Sequence, residues 1–307
     1  MYRAFYAIPA TLKTSKGEQT NAVYGVASML ISLLKAEEPD SLLFCFDAGE
    51  ETFRHQEHAE YKEGRAETPD EFYVQIPRIL ELIESFPIKH CSEGRYEADD
   101  LLCAYARAGE AAGMRVTVVT GDRDALQLVT EKVRMAIPHK GYQAPEYLDP
   151  QRVLAKYGVR PDQIPSYKGL SGDSSDNLRG VKGIGPKGAS QLLQQFETLQ
   201  GIYDHLDQVK PTMRAKLEAD RDSAFFCERM ATLVSDFPLP VALENLRLEN
   251  IRTAGAVAFM HELEMNSLGK RLQSLCETPY GKEHFVWEGE VTAKKKSAVT
   301  ENQMALF

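Results

Sequence analysis

Eight carboxylates stand in four tight groups along this chain: Asp47; Glu97, Asp99 and Asp100; Asp122 and Asp124; Asp173 and Asp176. Each group borders an apolar stretch, so each is expected at the end of a strand or helix. Carboxylates brought into one cleft repel and cannot all stay ionised unaided. Hard divalent cations, which prefer oxygen ligands, relieve that repulsion. Two such ions side by side clamp the attacking and leaving oxygens of a phosphodiester. The pattern therefore points to metal-assisted phosphate chemistry. For any single acid, a helix cap or a solvated side chain is the better reading; for the whole set it is the poorer one.

The elements that must position these acids can be read from the hydrophobic pattern. Residues 19–37 carry apolar spacings of three and four, as an amphipathic helix does. SLLFCFDA (41–48) is an apolar run ending in Asp47, as a buried parallel strand would. Residues 50–68 are strongly polar and read as an arch or loop, and helix resumes at Pro69 and runs to about Ser85. PIKHCS reads as a strand. EADDLLCAYARAGEAAG reads as a helix ending at Gly113, with its acids in the first turn, where the helix dipole favours them. RVTVVTGD is a second strand ending in acid. Such alternation predicts an α/β layer on a mainly parallel central sheet flanked by helices. In parallel sheets ligands bind beyond the carboxyl ends of the strands, where Asp47, Asp122 and Asp124 fall. From about residue 150 the pattern turns helical. The predicted organisation is an α/β core over 1–160, a helical region over 161–278 and a polar tail over 279–307, with a short strand near Val286.

The bulk composition narrows the class. The chain has 307 residues, 43% of them hydrophobic and 26% charged, as an ordinary globular protein has. It shows no apolar run long enough to span a bilayer and no signal-peptide pattern at its start. The five cysteines are widely spaced with no CxxC pair, which predicts reduced thiols and a cytoplasmic protein. A net charge of −9 argues against a nucleic-acid binder. Acids that serve as metal ligands weaken that objection, because bound cations reverse the local field. Cations also cluster locally: Arg54, Lys62 and Arg65 in one segment, Lys182 and Lys187 in another.

GIGPKG (183–188) matches GxGxxG, but a dinucleotide-binding motif should follow a strand. Here GLSGDSSDNLRGVK precedes it, which reads as loop and turn. The better expectation is a tight turn between two short helices. Gly183, Gly185 and Gly188 would let backbone N–H groups approach a phosphate, and the next helix offers its positive end. Lys182 and Lys187 add charge without base readout, as in contacts to a DNA backbone.

YRAFYA, FDAGEETFRHQEHAEYKEGR, YEADDLLCAYA, VVTGDRDALQLV and YKGLSGDSSDNLRGVKGIGPKGA resemble, in order, the blocks of the 5′-nuclease family. That family includes the 5′→3′ exonuclease domain of bacterial DNA polymerase I, phage 5′-nucleases and the flap endonucleases. The resemblance runs from residue 2 to about residue 240, and no polymerase region follows it. It implies a PIN-like core with a helix–three-turn–helix, and a 5′→3′ exonuclease and flap endonuclease acting on nicked or branched DNA. It implies two Mg²⁺ or Mn²⁺ ions, the first held by Asp47, Glu97, Asp99 and Asp100, the second by Asp122, Asp124, Asp173 and Asp176. Lys62, Arg65 and Arg54 match arch cations that reach the scissile phosphate. Tyr61 is expected either to stack on a base or to pack inside the arch. The glycine turn would grip the duplex, in relatives with a monovalent cation such as K⁺.

Two departures bear on these expectations. The family's usual Lys-Thr-Ala reads Lys187-Gly188-Ala189 here, with one hydroxyl fewer. In the family an apolar strand ending in Asp-Gly precedes the YRAFYA block and supplies another ligand, whereas Met1 here stands next to Tyr2. A second reading is therefore a catalytically impaired DNA-binding module tethered to a clamp. The final QMALF, with Gln303, Leu306 and Phe307, resembles the short motif by which bacterial replication proteins bind the sliding clamp. The expected state is a monomer.

Overall fold

The computed structural model, which describes residues 2–63 and 68–289, contains the alternation of strands and helices that the sequence predicts. Arg65, Gln303, Leu306 and Phe307 lie outside the described residues. YRAFYA forms α1 (Tyr2–Ala7), and the amphipathic run forms α2 (Asn21–Glu37), which ends where Glu38 turns left-handed (φ 46°). Then come β1 (Leu43–Cys45) and α3 (Phe53–Glu57). A reciprocal cap between Thr52 and His55 starts α3, so the polar arch is not wholly loop. The helix expected from Pro69 is broken into α4 (Asp70–Tyr73) and α5 (Ile76–Ser85). β2 (Lys89–Cys91), α6 (Ala98–Ala111) and β3 (Val116–Val119) match expectation closely. β4 (Val133–Ile137) and β5 (Glu146–Leu148) are strands the pattern did not single out.

The helical half comprises α7 (Pro150–Tyr157), α8 (Ile164–Ser171), α9 (Pro186–Phe196), α10 (Leu199–Asp204), α11 (Pro211–Ala219) and α12 (Arg221–Ala231). A final group follows: β6 (Ile251–Arg252), α13 (Ala254–Glu262), α14 (Asn266–Cys276), α15 (Pro279–His284) and β7 (Phe285–Val286). β7 is the short strand anticipated near Val286, and it pairs in parallel with β6.

β1 pairs with β2 in parallel, and β3 with β4 in parallel, with β5 antiparallel on the outside of β4. Among the described residues the two sets share no ladder, so the parallel layer exists as two sheets rather than one. One edge of β1 and one edge of β3 carry no strand partner there. Packing of α6 against both strands holds them in a common layer instead.

Two main cores divide the apolar residues. One joins α1, α2 and α5 to α13, α14 and α15 through residues such as Leu30, Leu34, Ile79, Leu82, Leu268 and Leu272. The other joins α6 and β3–β5 to α7–α12 through Leu126, Met135, Leu170, Leu193 and Leu217. The stretch 161–278 thus spans both cores, because the chain folds back after α12 to cover the first. Burying these side chains contributes roughly 1.5–3 kcal/mol each relative to exposure. The second core packs under β3 and α8, whose ends lead into Asp122, Asp124, Asp173 and Asp176. No described helix is long and apolar enough to cross a membrane.

Candidate active site

Asp47 lies just past β1, and its Oδ1 accepts from the Ala98 backbone N–H at 2.8 Å. That bond ties the end of a strand to the first turn of α6. Glu97 is the N-cap of α6, and Asp99 and Asp100 occupy its first turn. Carboxylates there meet unpaired backbone N–H groups and the positive end of the helix dipole. Asp122 follows β3, and its Oδ1 accepts from the Asp124 N–H at 3.0 Å. Asp173 and Asp176 sit in the turn after α8, a turn closed by reciprocal backbone bonds between Asp173 and Leu178 at 2.8 Å.

The acids form two neighbouring groups. Burial first, then the Asp122 and Asp47 carboxylates, push the Asp99 carboxyl up to about 7. The Asp122 carboxylate thus lies near enough to Asp99 to oppose its ionisation, while its Oδ1 also accepts from the Asp124 N–H beside the second set. In the second group, Asp124, Asp173 and Asp176 each offer an oxygen within 4.8 Å of the others. The Tyr61 hydroxyl joins the groups, lying 3.2 Å from Glu97 Oε2 and 3.3 Å from Asp176 Oδ2. It carries one hydrogen and can serve one carboxylate at a time.

Two expected residues, Asp100 and Arg54, land elsewhere than the sequence suggested, and Tyr61 takes the second of its two expected places, packed inside the arch. Asp100 is fully buried, and Arg54 grips both its oxygens, at 2.7 and 2.9 Å. The Glu97 and Val234 N–H groups take its remaining acceptor capacity at 3.1 and 2.9 Å. A carboxylate so occupied has no oxygen turned toward an ion. Arg54, at 1% exposure, also donates to the Met230 and Thr232 carbonyls and cannot face a surface phosphate in this arrangement. Burial opposes its charge, but Asp100 and Glu97 outweigh that and hold its proton more firmly than usual. Tyr61 is buried with Leu178, Cys227 and Met230, and presents no ring face for a base. Arg54 and Asp100 share one cause. The polar arch is pulled inward by Asp100, whose desolvation as a lone charge would cost several kcal/mol.

Lys62 does reach the site. Its ammonium lies 2.6 Å from Glu97 Oε1, on a backbone turned left-handed (φ 59°). A second cation, Lys168 of α8, was not singled out from the sequence. Its ammonium contacts Asp124 and lies 2.5 Å from Asp173 Oδ2. Burial raises the Asp173 carboxyl, but Lys168 and Ser175 outweigh it and hold Asp173 below the usual carboxylate range. Its position five residues before Asp173, on the helix that leads into the acidic turn, was the available signal.

The glycine turn leads into α9 as expected, but residues 172–185 before it form no helix, so it does not join two short helices. Among the described residues no strand precedes Gly183, which removes the dinucleotide-binding reading. Gly183 takes a left-handed φ of 79°, and a side chain there would strike Lys216. Gly185 caps α9 and opens onto free space, with Lys182 and Lys187 exposed on either side of it. Gly188 lies in the first turn of α9. Lys216 donates to the Gly183 carbonyl at 2.8 Å, placing a further cation at this turn.

The model of the 5′-3′ exonuclease N-terminal resolvase-like domain matches residues 1–158, and that of the 5′-3′ exonuclease C-terminal SAM fold matches residues 159–254. The chain belongs to the 5′-3′ exonuclease family. Over 272 residues it is 41% identical to DNA polymerase I of Bacillus subtilis (strain 168), a match covering 88% of this chain and 31% of that protein. DNA polymerase I of Caldicellulosiruptor bescii is 39% identical over 274 residues, 89% of this chain and 32% of that one. The chain thus spans about a third of the length of these relatives. Among solved structures, T5 5′-exonuclease with bound zinc superposes with a TM-score of 0.61 at 20% identity, covering 82% of this chain and 89% of that one. The catalytic core of Rad2 in complex with DNA substrate gives 0.57 at 16% identity, covering 90% and 89%. These likenesses fix the exonuclease fold, a resolvase-like α/β part followed by a helical SAM-like part.

Proposed function

We propose that this chain is a metal-dependent 5′→3′ exonuclease and structure-specific 5′-flap endonuclease acting on DNA in replication and repair. One observation carries the reading: two carboxylate groups meet at the Tyr61 hydroxyl, with Lys62 and Lys168 against them. The donor set is all oxygen and suits a hard divalent cation such as Mg²⁺. The pressure on Asp99 to stay protonated fits a group built to share a cation. Asp47, Glu97, Asp99 and Asp122 would hold one ion, and Asp124, Asp173 and Asp176 a second. Bound there, such ions supply Lewis-acid stabilisation of phosphoryl oxygens and lower the pKa of water.

The chain's own residues have separable tasks. Lys62, about a quarter exposed, can swing from Glu97 to a phosphate oxygen and stabilise its developing charge. Arg65 is proposed as a second such cation. Arg54 and Asp100 brace the base of the arch. Hydrolysis breaks the P–O3′ bond as water adds to phosphorus, leaving a 3′-hydroxyl on the released 5′ piece and a 5′-phosphate on the retained strand. The exposed turn at Lys182–Gly188, with Lys187 and the start of α9, would hold the duplex backbone. Lys216 already occupies the Gly183 carbonyl, so K⁺ at that oxygen would have to displace it. QMALF is proposed as a sliding-clamp ligand that would concentrate a monomeric enzyme at nicks.

The test is cleavage of 5′-flap DNA with Mg²⁺ by the wild type and by Asp122→Ala/Asp124→Ala. Loss of roughly 10³-fold or more is expected, since each ion contributes several kcal/mol. Undiminished cleavage would sink the assignment.

A further inference from the structure

A cleft of about 780 Å³ lies between α2, α14 and the turn at Tyr142–Gln143. Its polar lining is Ser32, Lys35, Gln143, Lys270, Arg271 and Ser274. No carboxylate lines it, in a chain whose net charge is −9. Arg271 is half-buried, and its guanidinium is aimed by Ser28 Oγ at 2.7 Å, the Ser28 carbonyl at 3.1 Å and Ser32 Oγ at 2.8 Å. None of Arg271, Lys35 and Lys270 lies within ion-pair distance of a carboxylate among the described residues. The nearby Glu37 is committed elsewhere. It accepts from the Tyr142 and Tyr147 hydroxyls at 2.6 Å, from Arg134 at 2.7 Å and from Thr117 at 3.2 Å.

Each lysine alone has an ordinary explanation. Lys35 sits in the last turn of α2, where the dipole favours a cation, and Lys270 is solvated. Neither explains a fixed, half-buried guanidinium with no counter-charge beside them. A guanidinium with donors to spare, two ammoniums and an amide, with no acid, match a tetrahedral oxyanion, while the Ser32 and Ser274 hydroxyls donate to the Ser28 and Lys270 carbonyls. The volume is that of a small-molecule site. We propose that this cleft binds the phosphate group of a small ligand. It lies away from the acids: Glu37 beside it touches Thr117 early in β3, whereas Asp122 follows the end of that strand.

Such a ligand would bridge α2 and α14, so it should stabilise the folded chain. The experiment titrates inorganic phosphate and dAMP into chelator-treated protein, read by calorimetry and thermal melting. It compares the wild type with Lys35→Gln/Lys270→Gln, whose exposed substitutions leave the core intact. Saturable binding is expected in the wild type, weakened roughly tenfold or more in the double variant. Tighter binding of dAMP than of phosphate identifies a nucleotide as the source, and equal binding identifies phosphate alone. A second readout is acetylation of lysines in the wild type, where phosphate should protect Lys35 and Lys270. Absence of saturable binding, binding unchanged in the double variant, or no protection would overturn the proposal. All arms run without divalent metal and read no cleavage, so they are independent of the nuclease reading.

Discussion

The two acidic groups meet at one tyrosine hydroxyl, yet they solve the problem of crowded charge in opposite ways. In the group at the ends of β1 and β3, Asp99 faces Asp122 and Asp47 and is driven toward the protonated form. In the group beside α8, Lys168 lies between Asp124 and Asp173 and keeps Asp173 ionised. The first group has Lys62 against Glu97, which lowers the repulsion felt by Asp99 without outweighing it. The second carries its own placeholder cation. Proximity of carboxylates alone therefore does not define a site's electrostatics; the nearest fixed charge does.

The brace under both groups is the point at which the comparison breaks most completely. Arg54→Ala leaves Asp100 buried and unpaired, and should cost about 3–5 kcal/mol by urea unfolding. A loss below about 1 kcal/mol would mean the ion pair is not formed as described. Lys168→Met should destabilise metal-free protein by about 2–3 kcal/mol at neutral pH, because Asp124 and Asp173 then repel. Added Mg²⁺ should recover most of that loss. If Mg²⁺ shifts the melting temperature of Lys168→Met no more than that of the wild type, Lys168 is no placeholder.

Asp99→Asn tests the opposite sign. The Asp99 carboxyl titrates near 7 when folded, against an ordinary value of 3.8, so the folded state holds a proton that the unfolded state releases between those values. Stability falls as pH rises from about 4 to about 7, and the penalty is constant above that. Asn lacks the penalty, so metal-free Asp99→Asn should be more stable than the wild type by about 4 kcal/mol at pH 8. The difference should vanish near pH 4; a difference independent of pH would contradict the assignment. The smallest effect is expected for Tyr61→Phe, which removes the shared hydroxyl and should cost about 0.5–1.5 kcal/mol. Its flap cleavage should change less than that of any variant that loses a carboxylate.

Much of the site was legible because its residues lie where local pattern places them. An apolar run ending in acid is a strand end, and EADD before an apolar helix is a capped first turn, so Asp47, Glu97, Asp99 and Asp122 could be anticipated. The glycine turn was legible for the same reason: Gly183 needs a left-handed backbone, and no strand precedes it. Roles that depend on distant partners were not legible. Asp100 and Arg54 are 46 positions apart, and nothing in either segment shows that they saturate each other. Lys168 looked like one more polar residue of α8 until Asp124, from another loop, met it.

By itself, then, the sequence determined the order of elements, the convergence of acids at strand and helix ends, and the family to which the chain belongs. These follow from short-range chemistry: periodicity, capping and turn geometry act within a few residues. Tertiary structure decided which acids keep free oxygens, which cations compensate them, and that Arg54 and Tyr61 turn inward. It also gathered Lys35, Lys270 and Arg271 into one cleft from segments more than two hundred residues apart. Electrostatic role depends on what stands within a few ångströms in space and on how much water is excluded, and neither quantity is written along the chain.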